Sequence, residues 1–301
     1  MNSEKIIILA GATGDLGSRI ADFLLSSGVI VRALVRKGSS SQKVVELRRS
    51  GVNVIEVDYG NKVELTKACE GGFCVVSALS GVREVIVNAQ TKLLHAALAA
   101  GVRRFIPSDF CIDYTKLPIG SNRNLDLRRE FCDILEKAPI ESTSILNGMF
   151  SDLLTGEAPV VLFGMKRILH WGSADQLMDF TTIENTAEFT AAAALDPKTP
   201  RFLYIAGEVA SMKGLKIDAD VATGEQFRML RVGGLGMLAT MIKISRTLFP
   251  KEDEVFPPWQ GMQYLHNMLS GLAKMEKLDN DRYPHIRWTP VREVLAQRLK
   301  K

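Results

Sequence analysis

Histidine and cysteine are scarce in this chain, four of each among 301 residues, and neither is arranged for metal or disulfide chemistry. Cys69, Cys74, Cys111 and Cys132 include no Cys-x-x-Cys pair and have no histidine at ligand spacing, so reduced thiols in or near a core are expected. His95, His170, His266 and His285 are unclustered and read as structural or surface residues, with acid or base work left open for His170 and His266 alone. An excess of one charge is missing too: 38 basic and 34 acidic residues are interspersed, without the basic stripe and interleaved aromatics that nucleic acid demands. No apolar run reaches the ~18 residues of a membrane span, Gly233 to Ile242 coming nearest, and the amino end carries no charged-then-apolar leader. The absence of a Gly-x-Ser-x-Gly elbow removes the common serine-hydrolase reading. What remains is a cytoplasmic globular protein, monomer or homodimer, without nucleic acid or membrane as partner. Its length suits two domains or one large one.

Strand-like and helix-like runs alternate from the start. Lys5 to Ala10 is followed by a helix to about Ser27, Ile30 to Val35 by a helix over 41–50, and Asn53 to Val57 by a helix to about Cys69. Phe73 to Ser77, a helix to about Ala100, Arg104 to Pro107, a charged helix from Leu125 to Glu136 and a strand from Glu141 to Leu146 complete the series. This rhythm predicts an α/β fold, a doubly wound parallel sheet of six strands (Rossmann type) over residues 1–150. After Met149 the rhythm loosens, turn residues multiply, and all three tryptophans and every methionine but Met1 appear. A smaller α+β part over 151–301 is expected, its thioethers and rings either lining an adaptable apolar pocket or packing a second core. A helix from about Gln260 to Leu272, with Met262, Leu265, Met268, Leu269 and Leu272 at helical spacing, either roofs such a pocket or belongs to that core.

Residues 11–17 read Gly-Ala-Thr-Gly-Asp-Leu-Gly, between the apolar run Ile6–Ala10 and an amphipathic stretch. This is a dinucleotide-binding turn: Gly11 for the bend, Gly14 for approach of a pyrophosphate, Gly17 for close helix packing, with Thr13, Asp15 and Leu16 between them. The diphosphate would rest on the unpaired amides and positive dipole end of the new helix. Where the second strand ends, about 20 residues on, an acid selects NAD and a base NADP. This chain has Arg36 and Lys37, then Gly38 and three serines, so NADP is expected, against the plainer reading of a solvated basic turn. Asp58 and Tyr59 end the third strand, where a polar group and a ring would meet the adenine. Ala78, Leu79 and Ser80 end the fourth, and Pro107 and Ser108 follow the fifth, at the carboxyl edge where ligands of open α/β sheets gather.

With these elements the chain resembles the NmrA-like branch of the atypical short-chain dehydrogenases, close to the isoflavone reductase and phenylcoumaran benzylic ether reductase group. The matching residues are the glycine turn, Val-Arg-Lys-Gly-Ser at 35–39, Asp58-Tyr59, the Gln90 helix, Arg-Phe-Ile-Pro-Ser-Asp-Phe at 104–110 and Asn-Gly-Met-Phe at 147–150. The likeness continues through Asp179-Phe180-Thr181-Thr182. It implies an NADPH-dependent reductase of a small, usually aromatic molecule, with Gln90, Phe110 and Phe150 added to the cofactor contacts. One departure stands out: the position of the group's active-site lysine falls on Arg128, which cannot act as a base but can stabilise a developing oxyanion. The same departure favours an alternative, a non-catalytic NADP(H)-binding redox sensor. The tyrosine-x-x-x-lysine pair of other short-chain dehydrogenases is missing, since Tyr114 is followed four on by Pro118 and Tyr283 by Arg287. Epimerase or dehydratase chemistry is therefore disfavoured.

Overall fold

The computed structural model describes residues 5–39 and 41–298, which leaves Ser40 of the serine run outside the described residues. The chain divides into two compact units, residues 1–109, 127–145 and 186–203 forming the first and residues 110–126, 146–185 and 204–301 the second. Each unit therefore draws on sequence from both sides of residue 150.

In the first unit six strands alternate with helices: β1 (Ile6–Ala10), α1 (Asp15–Ser26), β2 (Ile30–Arg36), α2 (Gln42–Arg49), β3 (Asn53–Val57), α3 (Lys62–Cys69), β4 (Cys74–Ser77), α4 (Gln90–Ala99), β5 (Arg104–Ile106), α5 (Arg123–Leu135, from residue 127 on) and β6 (Glu141–Ser142). The sheet order is β3-β2-β1-β4-β5-β6 with every neighbour parallel. That is the doubly wound Rossmann order, and its direction reverses between β1 and β4. Ile7, Ile8, Leu9 and Ala10 are all fully buried, as expected where helices cover both faces and a strand reads as one apolar run. Helix α1 buries Gly17, Ile20, Ala21 and Leu24, one stripe at helical spacing. Val75, Leu65, Leu93, Leu94, Phe105, Phe131 and Leu135 join Ile8 in a single core. Each fully buried aliphatic side chain contributes about 1.5–3 kcal/mol relative to exposure.

Two elements differ from the sequence expectation. The helix ending near Ala100 opens with a π-helical turn, Glu84–Ala89, before α4. The strand expected over 141–146 breaks at Thr143, because only Glu141 and Ser142 pair with β5 while β7 (Ser144–Leu146) takes β12 (Phe202–Tyr204) as its neighbour. Thr143 marks the change of partner, its hydroxyl donating to Pro200 O at 2.9 Å. Helix α6 (Ile183–Leu195) contributes its later turns to this unit.

The second unit is α+β. One small sheet runs β13 (Glu208–Ala210), β11 (Met178–Thr181), β8 (Met149–Phe150), and another β14 (Arg228–Gly233), β10 (Arg167–Trp171), β9 (Val161–Leu162). Helices α7 (Met212–Thr223), α8 (Leu235–Leu248), α9 (Pro258–Leu269) and α10 (Val291–Gln297) complete it. The helix expected over 260–272 is α9, begun by a proline in its first turn. Its buried face is not the methionine and leucine stripe alone. Gln260, Gln263 and Asn267 are buried beside Met268 and Leu269, whereas Leu272 is exposed. Two of these carboxamides bond Asn122: Gln260 Nε2 donates to Asn122 Oδ1 at 2.7 Å, and Asn122 Nδ2 to Asn267 Oδ1 at 3.2 Å. No helix among the described residues is long and apolar enough to cross a membrane.

Candidate functional site

The strand-turn-helix at the amino end is built by close backbone approach. Gly11 has φ +85°, a left-handed conformation that favours glycine, and a methyl there would fall 2.4 Å from Ala78 O. A methyl on Gly17 would fall 2.1 Å from Gly11 O. Gly14 N donates to Gly11 O at 3.0 Å, and the first intrahelical bond runs from Ser18 N to Gly14 O at 2.9 Å. The amides of Asp15, Leu16 and Gly17 thus precede the helical ladder, and Gly14 as N-cap offers no side-chain acceptor for them. Asp15 is turned to Arg19 by an exposed ion pair of 2.8 Å, which moderates its charge at the helix mouth. The result is a cradle of unpaired N–H groups at a positive dipole end, suited to an anion.

At the next strand end the two basic residues part ways. Lys37 Nζ pairs with Glu64 Oε2 at 2.8 Å, and that hydrogen bond raises its pKa. Arg36 is exposed, and among the described residues its guanidinium has no ion-pair partner. It does act electrostatically on Tyr59. Asp58 is exposed and uses Oδ1 to accept Gly60 N at 2.7 Å. The Tyr59 ring packs on the sheet core, its hydroxyl is buried without a hydrogen-bond partner, and burial pushes its pKa up.

The ends of β4 and β5 are tied to one another. Ala78 N donates to Ala10 O at 2.8 Å, Ser108 Oγ to Leu79 O at 2.6 Å, and Ser108 N to Gln90 Oε1 at 3.0 Å. Gln90 Nε2 in turn donates to Ile86 O at 2.6 Å. Both ends of this fully buried carboxamide are therefore used inside the protein, where it pins the π-helical turn to the loop after β5. Pro107 is buried and Ser80 exposed. In the first unit, then, Gly11, Ala78, Leu79, Ser108 and Gln90 come together, with Arg36, Asp58 and Tyr59 at the ends of β2 and β3. Phe110, buried, and Phe150, half-buried on β8 and paired with Thr181, belong to the second unit.

Arg128 is half-buried on α5. Its neighbour Leu127 packs with Ile86 and Val87, and Glu130 holds Arg83 through two bonds of 2.5 and 2.6 Å. His170 is buried and His266 half-buried, and burial lowers the pKa of each, so both are neutral near pH 7. No group of three metal-ligating side chains occurs among the described residues. Two arrangements escaped the sequence reading. Asp109 is buried and its Oδ2 accepts Ser144 Oγ at 2.6 Å, while Arg201 donates to Ser144 Oγ at 2.7 Å and to Cys132 Sγ at 2.8 Å. Arg104 is 5 % exposed and donates to Ala194 O, Ala193 O and Thr199 Oγ1 at 3.0, 3.1 and 2.7 Å.

Comparison with known proteins adds a family. The profile of the NmrA-like family matches residues 3–242. Pinoresinol reductase 2 of Arabidopsis thaliana is 29 % identical over 208 residues, 64 % of this chain and 65 % of the length of that protein. Among solved structures, AtPrR2 with NADP+ and (+)pinoresinol superposes with a TM-score of 0.84 at 22 % identity, covering 99 % of both chains. An isoflavone reductase superposes with a TM-score of 0.83 at 19 % identity, covering 98 % of this chain and 99 % of the other. At these identities the structural likeness is one of fold.

Proposed function

The chain belongs to the NmrA-like family, and from that premise we propose that it is an NADPH-dependent reductase of a small aromatic or conjugated carbonyl compound. The observation that carries the reading is the uncapped amino end of α1 against the Gly11 bend, where backbone packs on backbone too closely for a side chain at Gly11 or Gly17. NADPH fits the residues present. In this reading Gly11, Thr13, Gly14, Asp15, Leu16 and Gly17 hold the diphosphate with their backbone. Arg36 pairs with the ribose 2′-phosphate, a role for which it is better placed than the Glu64-bound Lys37. Asp58 and Tyr59 flank the adenine, and Ala78, Leu79, Ser80, Pro107 and Ser108 line the path of the coenzyme along the sheet edge. Gln90 fixes that edge. The coenzyme when bound supplies a hydride.

The chain's own residues then orient the acceptor, exclude water and stabilise charge. Arg128 is the residue we assign to the last task, its guanidinium meeting the oxyanion that develops as a conjugated carbonyl is reduced; it does not move a proton. The relatives named above are reductases, and AtPrR2 was solved with (+)pinoresinol, which supports an aromatic substrate class. Arginine at the family's lysine position favours a second reading, a redox sensor that binds NADP(H) without turnover.

One experiment separates them: NADPH consumption at 340 nm with enones, quinones and lignan-type phenylpropanoids, beside calorimetry with NADPH and NADP+. Turnover with any acceptor, and a fall in kcat of about tenfold or more for Arg128→Ala with coenzyme affinity kept, supports the reductase. No turnover, together with different affinities for the two coenzyme forms, selects the sensor.

A further inference from the structure

The bend after β5, residues 107–109, is tied to the sheet edge by Ser108, and we infer that Asp109, Ser144 and Arg201 form a second anchor, a hydrogen-bonded chain of positioning residues that sets this bend for the coenzyme. The inference rests on the NADPH-binding reading given above. All residues of the chain lie in the first unit. Asp109 N donates to Pro107 O at 2.9 Å, a three-residue turn, while Ser108 Oγ and N engage Leu79 O and Gln90 Oε1. The Asp109 side chain is bonded elsewhere, its Oδ2 accepting Ser144 Oγ at 2.6 Å.

Asp109 is 1 % exposed and Ser144 fully buried. A carboxylate so placed is costly unless it is hydrogen-bonded and its charge is answered. The Ser144 hydroxyl does both at one remove, donating to Asp109 and accepting from Arg201 Nη1 at 2.7 Å. Ser144 N also donates to Arg201 O at 2.9 Å, so two bonds hold this pair in register. The guanidinium is fixed in turn: Nη2 donates to Cys132 Sγ at 2.8 Å and lies 3.7 Å from Glu136 Oε1, and its carbon stands 4.4 Å from the centre of the Phe202 ring. A planar fork that meets a hydroxyl with one arm and a thiol with the other is a task for arginine, which a lysine ammonium cannot reproduce.

Stability alone does not call for such a chain, because apolar groups of similar volume often replace buried ionic ones without loss. What connected hydrogen bonds add is a single allowed arrangement. Here that arrangement fixes the residue after Ser108, which joins the end of β4 to Gln90. The bend is also remote from Arg36. Strands β2 and β5 are separated by β1 and β4, a span of about 14 Å across the sheet, so the chain should serve NADPH and NADH equally.

Two measurements on the full chain test this. Without coenzyme, hydrogen exchange by mass spectrometry in peptides covering 105–109 should run about tenfold faster in Ser144→Ala than in the native protein. In calorimetry, Ser144→Ala and Arg201→Met should each weaken NADPH and NADH alike by about five- to tenfold, and the double variant should lose no more than the weaker single one, since both cut the same chain. Arg201→Lys, which keeps the charge and one donor, should fall between the native protein and Arg201→Met. Native exchange and native coenzyme affinity in Ser144→Ala overturn the chain, as do additive losses in the double variant. A lowered melting temperature with neither change marks the bonds as structural only and overturns it too. If the native protein itself takes up neither coenzyme, the functional reading falls and this inference with it; if it binds both and the variants bind as it does, the chain alone falls.

Discussion

Gly14 and Gly17 lie three residues apart and look interchangeable in the sequence, yet the geometry predicts different consequences for alanine at each. At Gly17 the new methyl would fall 2.1 Å from Gly11 O and 2.7 Å from Gly11 C, both backbone atoms that cannot swing aside. Ordinary contact begins at 3.4 Å, so α1 would have to lift from the turn by about 1.3 Å. Overpacking of that kind costs about 1–3 kcal/mol, and the same lift spoils the cradle. Gly17→Ala should therefore lower the melting temperature by several degrees and weaken NADPH binding together. At Gly14 the only neighbour is Gly11 O at 3.3 Å, so alanine there is nearly free of clash and should leave the melting temperature within a degree or two. Its methyl nevertheless stands on the exposed side of the turn, where the diphosphate must approach. Removing even one charge-assisted bond to an amide costs about 2 kcal/mol, or roughly 30-fold in affinity. Calorimetric titration with NADPH and a thermal melt on the same two preparations would read both quantities. A Gly14→Ala variant that binds NADPH like the native protein would refute a diphosphate held against this backbone.

Two further outcomes follow from particular side chains. Arg36→Ala should weaken NADPH by about tenfold or more and leave NADH nearly unchanged, while Lys37→Ala, which only releases Glu64, should alter neither by more than a few-fold; equal losses for the two coenzymes would count against the 2′-phosphate contact. Arg104→Met should cost about 3 kcal/mol in a denaturant titration, because the carbonyls of Ala193 and Ala194 at the end of α6 lose their donor and the helix loses a cation at its negative end. A change below about 1 kcal/mol would show that water replaces the guanidinium there.

The sheet was legible because its strands are buried on both faces and announce themselves as apolar runs, Ile6 to Ala10 most plainly, and because glycine at 11, 14 and 17 falls where a strand becomes a helix. The break at Thr143 was not, since both halves of the 141–146 segment are strand and only the partner changes. The inner face of α9 was hidden for a different reason: Gln260, Gln263 and Asn267 are polar, and the groups they bond, Asn122 and the Arg123 amide, lie more than a hundred residues away. The tie through Asp109, Ser144, Arg201 and Cys132 joins residues 35 to 69 apart in sequence. Nothing local marks those four residues as neighbours. Gln90 was picked out by family likeness, but its two internal hydrogen bonds come from the fold alone.

The return of residues 186–203 to the first unit bears on how the protein is made. A nascent chain emerges amino end first, and domains generally close as they emerge. Here the Rossmann sheet has all six strands by residue 142, yet Arg104 cannot meet its carbonyls until residue 194 has been synthesised. A chain stopped before residue 194 would leave the Arg104 guanidinium without those acceptors, so this part of the sheet is expected to close only once α6 has emerged.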